Sequence, residues 1–191
     1  MKYYELRIYI DSAIVDKDTR EKYINYISHK QKQFELYKLN ENLDFNSQFD
    51  IFVPKINNIF SGAISIKINH GIKCAMFIID KNNQNNQKHP KPTPFYLYPN
   101  FNTGSETSLR LSNSVGIINS GYNGYIIGLF DHRGGHPQCD VCKSNVIFNN
   151  FDNDNHVQHV KKMDCLLEIR GPDISYPIYP ILVDNEIDIN I

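Results

Sequence analysis

The most informative segment of the chain is LSNSVGIINSGYNG, which spans Leu111–Gly124 and runs directly into the apolar stretch Tyr125–Phe130. Its apolar residues come in short groups, and Gly, Asn and Ser separate these groups. The pattern predicts a strand, a tight turn near Gly116 and a return strand into Tyr125–Phe130. We therefore expect a hairpin, and a hairpin of this kind can hold a flat ring.

Short β-type runs recur on both sides of this segment, with Gly, Pro and Asn between them. Such spacing predicts an all-β sandwich or barrel. Residues 3–10 alternate polar and apolar side chains, which indicates a first strand. The other runs are Asp50–Val53, Ala63–Asn69, Cys74–Ile79, Phe95–Tyr98, Leu109–Leu111, Tyr125–Phe130, Cys165–Ile169 and Tyr179–Val183.

One helix is predicted, from Asp16 to about Tyr37. Asp18 and Glu21 have the spacing of a capping box, in which two side chains satisfy the first free N–H groups of a helix. The side chains expected near one face of this helix are Tyr23, Ile27, Phe34 and Tyr37.

Composition narrows the class of protein. The 191 residues include 20 Lys and Arg against 21 Asp and Glu, a net charge of −1 that provides no basic field for nucleic acid or an anionic membrane surface. The longest apolar runs are strand-length, far below the roughly 20 residues of a membrane-spanning helix. No secretory signal is recognisable at the N-terminus, so the four cysteines are expected to be reduced thiols or metal ligands in a cytoplasmic protein.

The segment Leu111–Gly124 resembles the third signature of the dUTPase family, which in words is Asn-Ser-x-Gly-x-Ile-Asp-x-x-Tyr-Arg-Gly. The Asp and Arg positions of that signature hold Asn119 and Asn123 here. The matching positions are Asn113, Ser114, Gly116, Ile118, Tyr122 and Gly124.

Other segments resemble further family signatures in the expected order, and the resemblance covers roughly residues 43–185. The Gly-rich, Arg-bearing fifth signature has no counterpart in this chain. Asn46–Pro54 resembles the first signature, His70–Cys74 the strand that follows it, Phe95–Pro99 the run into the second signature, and Lys162–Ile169 the fourth.

The resemblance implies a mostly antiparallel, jelly-roll-like barrel that assembles into a homotrimer with active sites between subunits. It also implies a division of the chain. Residues 1–42 would form an N-terminal strand and helix, and residues 43–191 the dUTPase-like β domain with an inserted loop at 131–160.

The resemblance implies that this chain keeps the residues with which the family's site recognises the base and the deoxyribose. Asn113, beside Gly116, would read the uracil edge, and Tyr122 would pack on the deoxyribose. Asp50 would support the water shell of Mg²⁺ when a nucleotide is bound. Asn119 occupies the position of the carboxylate that deprotonates the attacking water, and an amide cannot accept that proton at neutral pH.

The phosphate-binding half is depleted, because Asn100 and Cys165 occupy positions at which the family has Arg. We therefore predict a catalytically degenerate relative that binds a deoxyuridine nucleotide or a protein partner. Two alternatives stay open. One is an active Mg²⁺-dependent dUTP diphosphatase with a rebuilt site, and the other is a purely structural protein that reuses the barrel. Asn, Ile, Lys and Tyr, whose codons are AT-rich, are abundant in the chain. This composition and the degenerate motifs would suit a viral protein, located in the host cytoplasm or the virion.

Two polar segments, 81–94 and 131–159, are expected to be surface loops. The second contains a Cys-x-x-Cys pair, which is a common half-site for structural Zn²⁺. The candidate ligands are Cys139, Cys142, His136 and one of His132, His156 and His159. The alternative is an exposed loop with free thiols, and the sequence leaves both open.

Overall fold

A computed structural model describes residues 1–40, 45–55, 57–60, 65–81, 90–107, 109–132 and 157–189. Within these ranges the chain is mostly β with one long helix, as predicted. The helices are α1 (Lys17–Leu39), α2 (Phe101–Glu106) and a 3-10 helix at Glu186–Ile189. The strands are β1 (Lys2–Ile10), β2 (Gln48–Phe52), β3 (Asn57–Phe60), β4 (Ser65–Asn69), β5 (Ile72–Asp80), β6 (Lys91–Thr93), β7 (Phe95–Pro99), β8 (Leu109–Leu111), β9 (Gly116–Ile118), β10 (Ile127–His132), β11 (Val157–Val160), β12 (Cys165–Arg170) and β13 (Ile178–Val183).

The strands form three larger sheets and one strand pair. Their orders are β13-β1-β5-β6, β2-β12-β7-β9, β4-β10-β8 and β11-β3. Among the described strands every pairing is antiparallel except that of β1 with β13, so the predicted antiparallel character is confirmed. The predicted boundary near residue 43 stays a prediction, and β1 lies in the interior of its sheet, between β5 and β13.

Each run predicted as a strand contains one, but the two polar segments are not loops throughout. β6 lies at the end of the first and pairs with β5. In the second, β10 continues to His132, and β11 pairs with β3. Strands this short escape a search for apolar alternation, because their pairing with a neighbouring strand cannot be read from three or four residues.

Helix α1 begins one residue after Asp16, which is its N-cap. The Asp16 carboxylate accepts a hydrogen bond from the backbone N–H of Thr19 at 2.9 Å, so the capping box expected from Asp18 and Glu21 is wrong. Lys162 contacts the same carboxylate at 2.6 Å. This contact, followed by the capping bonds, lowers the pKa of Asp16 to about 2. The cap therefore also joins α1 to the turn before β12.

The helix covers the free edges of two sheets, because β2 and β13 are both terminal strands. The Tyr23 hydroxyl accepts from the Phe52 N–H at 2.8 Å, and the Tyr26 hydroxyl accepts from the Asp50 N–H at 3.3 Å, both on β2. On the other side, Gln31 donates to a backbone carbonyl of β13 at 2.9 Å. Polar-tipped side chains thus occupy strand edges that would otherwise be open to pairing.

One buried apolar cluster joins all three larger sheets and α1. Representative members are Leu6 and Ile8 of β1, Phe49 and Ile51 of β2, Phe95 of β7, Phe130 of β10 and Ile169 of β12. Three of the four side chains expected on one face of α1 are buried, namely Tyr23, Ile27 and Phe34. None of the helices in the described ranges combines the length and the apolar character that a bilayer crossing needs.

Candidate functional site

The segment that resembles the third signature contains two turns rather than the one expected near Gly116. The first covers 112–115, where the Ser114 N–H donates to the Leu111 carbonyl at 3.0 Å. Gly116 then opens β9, which pairs with β7 and not with β10. The second turn follows, with the Tyr122 N–H donating to the Asn119 carbonyl at 3.1 Å and Gly121 at φ +83°. The return strand is β10, which pairs with β8 in another sheet.

Gly116 has a packing role at the start of β9. A Cβ at this position would lie 3.1 Å from the Cβ of Leu97 on β7, so the glycine allows the two strands to approach closely. The residue is buried. Its match to the family signature is therefore explained by contact between strands, whether or not a ligand binds.

Tyr122 lies on the surface at 40% exposure and folds back over its own loop. Its hydroxyl donates to the Tyr125 carbonyl at 3.1 Å, and a Cβ on Gly124 would lie 2.4 Å from that hydroxyl oxygen. The Tyr125 hydroxyl in turn donates to Asp11 at 2.5 Å, which raises the pKa of Tyr125 to about 12 and lowers that of Asp11. The loop that carries Tyr122 is thus fixed to the end of β1.

Asn113 and Asn119 lie at opposite ends of β9, and both are exposed. Three strand residues separate the two turns, which corresponds to about 10 Å. Within one chain the two asparagines therefore belong to different turns, one on each side of β9. The sequence alone could not reveal this, because it predicts one hairpin in place of a strand between two turns.

Asp50 belongs to a hydrogen-bonded network on one face of the sheet β2-β12-β7-β9. Gln48 donates to the Asp50 carboxylate at 3.0 Å and accepts from Arg170 at 2.7 Å. Arg170 also donates to Glu168 at 2.6 Å, and Glu168 lies opposite Asp50 in the strand register. Asp50 is thus a half-buried member of a cluster that contains two carboxylates and one guanidinium.

Lys30 of α1 brings a further positive charge to this network. Its side chain is only 4% exposed, and its ammonium group donates to the Asn46 carbonyl at 3.2 Å. Burial lowers the pKa of Lys30, and attraction to Asp50 opposes that effect. Sequence reasoning missed Lys30, Gln48 and Arg170. The i, i+2 spacing of the polar pairs on β2 and β12 is the signal that could have identified the last two.

Asp50 and Asn119 lie far apart in the folded chain. β2 and β9 are the two outer strands of a four-stranded sheet, so three strand spacings, about 14 Å, separate them. One chain therefore does not bring together the residue expected to support Mg²⁺ and the position of the catalytic carboxylate. Their meeting between subunits stays a prediction.

The position at which the family has an Arg before α2 serves here as a helix cap. The Asn100 side chain accepts from the Asn102 N–H at 3.1 Å, and Thr103 anchors the helix by donating to the Leu166 carbonyl at 2.6 Å. Phe101 is 85% exposed. A cleft of about 330 Å³ lies beside this helix, and its lining residues are Pro99, Asn100, Phe101, Gly104, Leu109, Arg110, Leu111 and Ser114.

The turn before β12 is held in an unusual conformation. Met163 has φ +70°, its N–H donates to the Val53 carbonyl at 2.7 Å, and Lys22 of α1 donates to its carbonyl at 2.8 Å. Cys165 follows, and it is the second residue that stands where the family signatures have an Arg. Burial raises the pKa of this thiol to about 12, so it carries no charge at neutral pH.

The predicted zinc ligands His136, Cys139 and Cys142 lie outside the described residues, and only the backbone of His132 is described. Within the part of the chain that is described, no three His, Cys, Asp or Glu side chains are arranged to hold a metal ion. The described cysteines, Cys74 and Cys165, are free thiols.

Comparison with known proteins gave matches to solved structures only. No family model matches the chain, and no curated protein matches it. A variant of the Staphylococcus bacteriophage 80alpha dUTPase with dUpNHpp is similar at a TM-score of 0.45 and 14% identity, covering 68% of this chain and 71% of that chain. A variant dUTPase from phage phi11 of S. aureus is similar at a TM-score of 0.45 and 13% identity, covering 68% of this chain and 78% of that chain. The Streptococcus mutans dUTPase is similar at a TM-score of 0.43 and 14% identity, covering 75% of this chain and 86% of that chain. All three are dUTPases, the class that the sequence motifs resemble.

Proposed function

We propose that the protein is a dUTPase-like barrel that binds a deoxyuridine nucleotide and does not hydrolyse it at an enzymatic rate. The observation that carries this proposal is the amide at Asn119. Loss of a positioned general base costs about 10²–10⁴ in rate. The retained carboxylate, Asp50, cannot replace it within one chain, because three strand spacings, about 14 Å, already separate its strand from β9 and its carboxylate accepts a hydrogen bond from Gln48.

The loss of phosphate-binding cations supports the same proposal. Asn100 is committed to capping α2, and the Cys165 thiol is neutral. Each missing charge-assisted hydrogen bond would have contributed about 1.5–3 kcal/mol. A triphosphate in this site would therefore be held weakly even if a base were supplied.

Assembly and cofactor belong to the proposal as well. In a homotrimer, Asp50 of one subunit would come near the β9 turns of another, and Tyr122 would turn outward to contact the ligand. Mg²⁺ would bind with the nucleotide, supported by Asp50, and would neutralise part of the phosphate charge. The residues present fit this role, since Asp50 is half-buried and its carboxylate points from the same face as Glu168.

Hydrolysis is tested by measuring pyrophosphate release from dUTP with Mg²⁺. We expect little release, and we expect Asn119→Asp alone not to restore it, because the cations are missing too. Turnover of ~1–10³ s⁻¹ would instead identify an active dUTP diphosphatase. Rescue by the single substitution would show that the missing cations matter less than we argue.

Binding is tested by thermal denaturation with dUTP, dUMP and dCTP. A ligand present at 100 times its Kd stabilises the folded state by about 2.7 kcal/mol, which for a chain of this length raises the melting temperature by roughly 5–10 °C. We expect such a rise with the uracil nucleotides and not with dCTP. An unchanged melting temperature with all three would favour a structural or partner-binding protein.

A further inference from the structure

The 3-10 helix Glu186–Ile189 packs on the sheet β13-β1-β5-β6, and we call it the latch helix. Its Ile189 side chain is buried in a small apolar cluster that is separate from the main core. Ile187, on the same helix, is 77% exposed. The buried partners of Ile189 are three residues of β5, namely Ala75, Phe77 and Ile79. A short helix held by one buried side chain belongs to the parts of a fold that open most readily.

Lys73 of β5 links the latch helix to the loop at 119–125, which we call the Tyr122 loop. Its ammonium group contacts the Glu186 carboxylate at 2.6 Å and lies 4.7 Å from the centre of the Tyr125 ring. The Lys73 side chain is 12% exposed. Because the surrounding groups confine it, its position depends on which carboxylate it binds.

Tyr125 holds the Tyr122 loop closed. Its hydroxyl donates to the Asp11 carboxylate, and its carbonyl accepts a hydrogen bond from the Tyr122 hydroxyl at 3.1 Å. The N–H of the following residue, Ile126, donates to the Ile72 carbonyl of β5 at 2.9 Å. The Tyr122 ring therefore folds over its own loop for as long as Tyr125 stays in place.

Asp11 offers Lys73 a second partner. Hydrogen bonds from the Tyr125 hydroxyl and the Ala13 N–H lower the pKa of Asp11, and attraction to the Lys73 charge lowers it further. Asp11 and Glu186 thus compete for one ammonium group. A Lys73 that loses Glu186 is drawn to Asp11, where a charged donor makes a stronger hydrogen bond to a carboxylate than a neutral hydroxyl does.

We propose that the latch helix controls the Tyr122 loop by an exchange of partners at Lys73. When the helix is docked, Lys73 binds Glu186, the Tyr125 hydroxyl binds Asp11, and Tyr122 is closed on its own loop. When the helix is released, Lys73 binds Asp11, Tyr125 loses its acceptor and the loop opens. What an open Tyr122 contacts rests on the proposed function, whereas the exchange itself does not.

Amide hydrogen exchange followed by NMR measures the opening of this loop without any ligand. The reporter is the Tyr122 N–H, which donates to the Asn119 carbonyl at 3.1 Å. The N–H of Leu6, in the interior strand β1, is the reference for global unfolding. A change at the reporter that is absent at the reference identifies local opening.

Three substitutions test whether the latch helix and the loop are coupled. We expect Glu186→Gln to accelerate exchange at the reporter about two- to fivefold, the factor that one exposed ion pair contributes. Ile189→Ala removes the anchor of the helix without altering Lys73 or its partners, and it should accelerate exchange at least as much. Asp184→Asn is the matched control, because it removes the same charge from an exposed residue just before the helix, and it should leave the rate unchanged.

The exchange of partners is tested by repeating Glu186→Gln in an Asp11→Asn background. The amide oxygen of an asparagine still accepts from the Tyr125 hydroxyl, but it carries no charge to attract Lys73. We therefore expect Glu186→Gln to cause no acceleration in this background. Equal acceleration in both backgrounds would show that the loop opens without an exchange at Lys73. No acceleration by Glu186→Gln or Ile189→Ala, or the same acceleration by Asp184→Asn, would show that the helix does not control the loop.

These outcomes are separate from those that test the proposed function, because no nucleotide is present. A loop that responds as expected in a protein that binds no nucleotide would contradict the proposed function alone. Nucleotide binding by a protein whose loop ignores the latch helix would contradict this inference alone.

Discussion

Acid should destabilise this protein well before its carboxylates titrate, because of His70. The imidazole is completely buried, and its Nδ1 lies 3.1 Å from the Phe52 carbonyl oxygen. A carbonyl only accepts, so Nδ1 carries the proton, and Nε2 is a buried acceptor with no partner among the described residues. Burial lowers the pKa of His70 from 6.5 to about 4, and the bond to Phe52 opposes this only in part.

The sign and size of the effect follow from proton linkage. Above pH 6.5 the imidazole is neutral in both the folded and the unfolded chain, so it contributes no pH dependence. Between pH 6.5 and about 4 the unfolded chain binds a proton that the folded chain does not, and stability falls as the pH falls. The loss is about 2 kcal/mol at pH 5 and approaches about 3 kcal/mol below pH 4.

The measurement is urea denaturation followed by circular dichroism at steps from pH 7.5 to pH 5. This range lies above the titration of the carboxylates with lowered pKa, such as Asp16 and Asp131, whose stabilisation is lost only as the pH falls below about 4. We expect His70→Gln to be less stable at pH 7.5 but nearly independent of pH in this range. His29→Gln, at an exposed position on α1, should keep the dependence of the original chain.

Two outcomes would contradict this reasoning. A free energy of unfolding that stays constant from pH 7.5 to pH 5 would mean that the imidazole is hydrated or paired in solution. An unchanged pH dependence in His70→Gln would assign the effect to another group.

Three substitutions test other parts of the fold. Tyr23→Phe should lower the free energy of unfolding by about 1–3 kcal/mol, because it leaves the Phe52 N–H buried without a partner, as chemical denaturation would measure. Gly124→Ala should displace the Tyr122 ring, since a Cβ would lie 2.4 Å from its hydroxyl, and NMR of that ring would report the change. Met163→Gly should be about 1 kcal/mol more stable than Met163→Ala in denaturation experiments, because the position has φ +70°.

Matched controls separate these effects from general damage. Tyr37→Phe, on a half-buried residue of the same helix, should change stability little. Gly104→Ala should be tolerated, because a Cβ there would meet no heavy atom within 4 Å. Equal losses in Tyr23→Phe and Tyr37→Phe, an unmoved Tyr122 ring, or Met163→Ala as stable as Met163→Gly would each contradict the corresponding argument.

Local patterns were sufficient for most secondary structure, since alternation and turn residues act over a few positions. Leu109–Leu111 was predicted with its observed bounds, and the helix from Asp16 was placed within two residues at its C-terminal end. Local patterns failed where partners from elsewhere in the chain stabilise an element. β6 and β11 are short strands held by pairing with β5 and β3, and α2 is a single short helix anchored by the hydrogen bond from its Thr103 hydroxyl to a backbone carbonyl of β12.

What individual residues can contribute chemically was readable from residue types alone. An amide at position 119 cannot act as a general base, and an asparagine at position 100 and a thiol at position 165 cannot supply a positive charge, wherever these residues lie. Their arrangement was not readable, because distances across a sheet depend on strand order rather than on spacing in the chain. Strand order places Asp50 three strands from β9, and the packing of α1 puts Lys30 beside Asp50. Long-range pairing and packing fix these neighbours, and no short segment encodes them.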